Sequence, residues 1–152
     1  MSNKQYPIHD SSFKIKANYI AMIAYLIPLA YLLLSSIITI PSIIGYIMVF
    51  SPFIIYFFER KSEFVRFHAV TSIILNVILP IIFELLVIII TLLGLHHIQM
   101  IGIVLSFIYL LLVLGIVALS IYNLIKANFF YITGVPIISK MAYYFAKESN
   151  SN

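Results

Sequence analysis

Charge is scarce in this sequence and cysteine is absent. Only 9% of the 152 residues are charged while 63% are hydrophobic, against about 25% and roughly 45–50% in a soluble domain. A soluble chain of this length could not bury so much apolar surface, so the composition implies one integral membrane domain. Without cysteine, disulfides, thiolate chemistry and cysteine-ligated metals are excluded. Catalytic signatures are missing too. There is no His-Glu-x-x-His, no nucleophile elbow, no phosphate loop and no cofactor box. The expectation is therefore no enzyme, no cofactor and no metal site.

The charge that exists is segregated. Glu59-Arg60-Lys61-Ser62-Glu63-Phe64-Val65-Arg66 holds five charges in eight residues, between long apolar runs. Lys4, Lys14 and Lys16 precede the first run, and Lys126, Lys140 and Lys147 follow the last. All nine basic residues thus fall in alternate connecting segments. The positive-inside rule then puts both termini and the central stretch in the cytoplasm, with the protein in the cell membrane. Charges flanking membrane runs suit anionic headgroups rather than nucleic acid.

The apolar runs predict an all-α membrane protein of four transmembrane helices in two antiparallel hairpins. The spans lie at about 19–38, 42–58, 69–94 and 101–125, since about 20 apolar residues cross the hydrocarbon. Residues 1–18 form a polar, flexible cytoplasmic tail, 128–146 an interfacial segment and 147–152 a second polar tail. Pro28 kinks the first span and frees the Ala24 carbonyl. Ala17, Ala21, Ala24, Pro28, Tyr31 and Ser35 share one face, suited to packing or to lining a pathway. Gly102, Ser106, Tyr109, Val113, Ile116, Ser120, Asn123 and Ala127 repeat at spacings of 4 and 3 along the fourth span, a packing seam. Asn123 and Ser120 are placed to reach polar partners on other spans.

Four residues are candidates for function. Glu84, at mid-depth in the third span, is either a neutral carboxyl hydrogen-bonded to neighbouring helices or a working acid. Asn76 lies eight residues before it on the same stripe, with Pro80 between them freeing the Asn76 carbonyl. His68 is either a structural histidine or a proton or ligand sensor near the interface. Arg66 is spaced to pair with Glu63 on one side of an amphipathic lead-in to the third span, opposite Phe64, Phe67 and His68. Glu59 and Glu63 read as a solvated charged face. His9-Asp10 and His96-His97 are weak metal pairs.

Phe64-Val65-Arg66-Phe67-His68-Ala69-Val70-Thr71-Ser72-Ile73, entered from Ser51-Pro52-Phe53-Ile54-Ile55 and followed later by Gly134, Pro136 and Ile137-Ile138, resembles the small bacterial four-helix proteins related to the chloroplast inner-envelope import component, the Tic-twenty-like family. The resemblance covers roughly residues 19–138. Thr71 departs from it, standing where the family often has glutamine. It implies a four-helix membrane protein linked in plastids to protein translocation, and brings no catalytic residues.

Function reads two ways. One is a transport or translocation component, working as a homo-oligomer or with another membrane protein, because four helices alone leave little room for a pore. The other is a protective or scaffold protein, as in bacteriocin immunity or envelope stress. The bilayer is the partner common to both.

Overall fold

A computed structural model describes residues 4–35, 37–92, 99–132 and 136–148. Among these residues the regular structure is helical apart from two short strands. Its elements are β1 (Lys4–Gln5), α1 (Ala17–Leu34), α2 (Ser42–Phe58), α3 (Glu63–Ile73), α4 (Leu79–Leu92), α5 (Gln99–Asn128), β2 (Tyr131–Ile132) and α6 (Pro136–Glu148). A π-turn over Ile74–Ile78 joins α3 to α4. Three helical stretches are long and apolar enough to cross a membrane: Ala17–Leu34, Glu63–Leu92 and Met100–Asn128. The 17-residue α2 is shorter. The end of the third expected span at Gly94, and the His96-His97 pair, lie outside the described residues.

Three prolines interrupt these helices, and the helix adjusts to each differently. Pro28 removes the donor for Ala24, whose carbonyl instead accepts the Ser72 hydroxyl at 2.6 Å. Pro52 does the same to Met48, and the adjacent Ser51 hydroxyl donates to that carbonyl at 2.8 Å. Before Pro80 the helix widens, with the Leu79 amide donating to the Ile74 carbonyl five residues back. A π-turn is a recognised way to relieve such a clash. In a low-dielectric setting each orphaned carbonyl would cost several kcal/mol, so these repairs keep the helices continuous.

The core sits at one end of the bundle. α1 packs on α2, α3 and α5, and α3 packs on α1, α2 and α6. The small face expected on α1 is buried at Ala17, Ala21, Ala24 and Pro28. On α5 only the later part of the seam, Ile116, Ser120, Asn123 and Ala127, is buried. The Asn123 amide donates to Leu119 on its own helix. Ser120 Oγ finds no partner among the described residues, so neither residue makes the expected cross-helix bond.

Two expectations are corrected here. α3 is not an amphipathic surface helix, because every residue from Phe64 to Ile73 is buried. Having α1, α2 and α6 around it leaves no solvent face. The polar tail is not loose from Lys4 onward. β1 pairs antiparallel with β2, Lys4 opposite Ile132, and the backbones of Asp10 and Lys16 pair in an isolated antiparallel β-bridge.

α1 and α2 approach closely at Gly45. A Cβ there would lie 2.8 Å from Tyr31 Cε2. Gly45→Val is therefore expected to lower stability by about 1–3 kcal/mol through overpacking, read as a lower unfolding midpoint in detergent. Gly45→Ala should have a smaller effect of the same sign.

Candidate functional site

The polar residues form two groups on opposite halves of the molecule. The first is a buried network that ties the tail to the 59–62 turn. Glu59 is 1% exposed. Its Oε1 accepts the Lys61 and Ser62 amides at 2.9 Å. The Ser12 amide lies 3.0 Å from both carboxylate oxygens and the Ser12 hydroxyl 2.6 Å from Oε1. The Ser12 hydroxyl in turn accepts the Arg60 and Lys61 amides. Glu59 is thus not part of a solvated face.

Ser62 caps α3, its hydroxyl accepting the Val65 amide at 3.2 Å. The Pro7 carbonyl can only accept, so His9 Nδ1 donates to it at 2.8 Å, and Nε2 accepts the Ser62 hydroxyl at 2.7 Å. His9 is therefore a strut rather than half of a metal pair, and among the described residues no three His, Cys, Asp or Glu could hold a metal ion.

His68 lies behind this turn and is fully buried. Nε2 donates to the Tyr131 carbonyl at 3.2 Å, so Nδ1 accepts the Tyr25 hydroxyl at 3.0 Å. In the neutral imidazole that pattern selects the tautomer with its proton on Nε2. Phe64 and Phe67 close over the ring edge-on, 4.6 and 5.3 Å between centroids. Phe64 stacks on Phe130 at 5.4 Å. Phe130 is held at φ 59°, a region disfavoured for side chains of this size by roughly 1–2 kcal/mol. Its buried ring offsets that strain.

Arg66 is 2% exposed and does not pair with Glu63. Its guanidinium lies 4.9 Å above the Tyr56 ring and Nη2 donates to the Phe145 carbonyl at 3.4 Å. Phe145 is in the last turn of α6, so a cation there complements the negative end of the helix dipole. Nε and Nη1 have no partner among the described residues.

The second group faces a row of hollows on the other half. One of about 460 Å³ lies between α1, α2 and α4. A second of about 360 Å³ lies between α1, α4 and α5. Tyr31, Val49, Asn76 and Pro80 line both. A third, of about 390 Å³, separates α4 from α5 and is lined by Phe83, Glu84, Thr91, Ser106 and Tyr109. Tyr109 also lines the second, so the three adjoin.

Asn76 is tied to α3 and, through it, to α1. Its amide donates to the Ser72 carbonyl and hydroxyl, both at 3.1 Å, and Ser72 passes on to Ala24. Glu84 stands apart. Sixteen residues beyond His68, it lies about 24 Å further along the helix axis. Among the described residues it makes no hydrogen bond, so the hydrogen-bonded carboxyl expected as one alternative finds no partner there. The structure does not bring His68 or Arg66 together with Glu84. The sequence reading missed Ser12, Tyr25 and the role of Tyr109. A serine pair in the tail opposite a charged turn was the available signal for Ser12.

The chain matches no protein-family model, no curated protein and no solved structure.

Proposed function

We propose that the protein is a small multi-pass component of membrane transport or translocation, acting as a homo-oligomer or alongside another membrane protein. The observation that carries this reading is the row of three adjoining hollows ending at Glu84. A carboxyl at mid-depth is costly and marks substrate or ion pathways. In this reading α2 is a fourth, thin span, and the tail, the 59–62 turn and α6 lie on the cytoplasmic side. The juxtaposition of those three segments at one end of the bundle supports this. The resemblance to Tic-twenty-like proteins is compatible with it.

Exposure supports self-association or a partner in this reading. No residue of α4 is buried, and Gly102, Ser106 and Tyr109 of the α5 seam are exposed. A packing seam left open calls for another helix. Native mass spectrometry of the tagged protein, purified in mild detergent, should show a homo-oligomer or a stoichiometric membrane partner. A monomer with nothing bound would contradict the proposal. The protective or scaffold reading is favoured by one observation, the locked polar network at the cytoplasmic end, which contains no open site.

A further inference from the structure

The cleft between α4 and α5 presents almost nothing but acceptors. The Thr91 hydroxyl donates to Val87 at 2.9 Å and the Ser106 hydroxyl to Gly102 at 2.9 Å. Each has its proton committed to its own helix, so only oxygen lone pairs are left for the cleft. The Glu84 carboxyl adds two further oxygens, both of them acceptors once it is paired with a cation. Phe83 and Tyr109 meet across the cleft, ring centroids 5.4 Å apart and tilted by 38°, and ring faces attract cations. Val87, Ile90 and Leu105 complete apolar walls. Among the described residues the one donor is the Tyr109 hydroxyl, and none of those lining the cleft is Lys, Arg or His.

A bare divalent ion does not fit, since it would want six or more oxygens at close range. A neutral apolar molecule would leave the carboxylate unpaired. An anion would be repelled. The size, about 390 Å³, is in the range of small-molecule sites. We infer that the α4–α5 cleft binds a lipophilic organic cation, with Glu84 as counter-charge and the Phe83–Tyr109 ring pair closing one end of the site. This rests on the transport reading and names its cargo class.

The test is equilibrium binding of tetraphenylphosphonium to the full chain in lipid nanodiscs, with neutral triphenylphosphine oxide as the comparison. Glu84→Gln keeps the shape and removes the charge. Gly102→Leu fills the cleft from a position where an added Cβ meets nothing within 4 Å, so the helix should tolerate it. The expected result is saturable cation binding, weakened about tenfold or more by either substitution and not matched by the neutral compound. Equal binding by wild type and Glu84→Gln, or equal binding of the neutral compound, would overturn the inference. If either variant elutes as an aggregate, the other decides. Binding without uptake into vesicles would support the site and count against the transport reading. Uptake indifferent to both substitutions would do the reverse.

Discussion

Glu59→Ala is expected to destabilise the protein by about 3 kcal/mol, the scale set by removing one partner of a buried charged network. The reason is the number of donors that converge on one carboxylate. The amides of Ser12 and Ser62 and the Ser12 hydroxyl all lose their acceptor at once, and the Lys61 amide is left with the Ser12 hydroxyl alone. Hydrogen bonds to charged groups contribute roughly 1.5–3 kcal/mol each, and an orphaned buried donor costs about 1–3 kcal/mol. Water entering the opened turn recovers part of that sum. Glu59→Gln should have a smaller effect, because the amide oxygen can replace Oε1 while its NH2 faces the Ser12 amide. Thermal unfolding followed by circular dichroism in detergent gives the ranking. A double-mutant cycle with Ser12→Ala should show strong coupling, since the two side chains act as one unit. Additive effects would mean that the tail is not held through this carboxylate.

His68→Ala is expected to have a comparable effect, about 3–4 kcal/mol. Two terms combine. The first is a cavity in a core whose walls are Phe64, Phe67 and Tyr25, and large-to-small changes of this size cost about 2–5 kcal/mol. The second is the loss of partners for the Tyr25 hydroxyl and the Tyr131 carbonyl. His68→Phe restores volume but not the bonds and should fall between alanine and wild type. Tyr25→Phe removes one neutral bond and should cost about 1 kcal/mol. Because Tyr131 belongs to β2, which pairs with β1, His68→Ala should also make the N-terminal tail more sensitive to protease. An unchanged cleavage rate would show that the tail is secured without His68.

The helical class and the long apolar helices were legible from run length and composition, which depend only on local sequence. The proline consequences were partly legible. That Ala24 loses its donor follows from Pro28 alone, but the replacement by Ser72 needs two helices in contact, 48 positions apart. The buried turn was misread for a related reason. Glu59 sits among basic residues, and charge in a connector ordinarily means water. Only the fold shows that the tail returns to supply Ser12. Arg66 and Glu63 had helix-surface spacing, but α3 has no free surface, so the guanidinium turned to Tyr56 and the end of α6. Glu84 was found from sequence because a carboxyl in an apolar run is conspicuous. The acceptor-rich character of its surroundings was not, since it depends on where the Thr91 and Ser106 hydroxyl protons point.

The central proposal is that the cleft around Glu84 carries cargo while the opposite end of the bundle is locked. Uptake of tetraphenylphosphonium into proteoliposomes, compared between wild type and Glu84→Gln at equal reconstituted protein, tests it most directly. The expected result is uptake above protein-free vesicles for wild type and near the protein-free level for Glu84→Gln. Uptake by the two proteins at the same rate, or no uptake by wild type above protein-free vesicles, would contradict it.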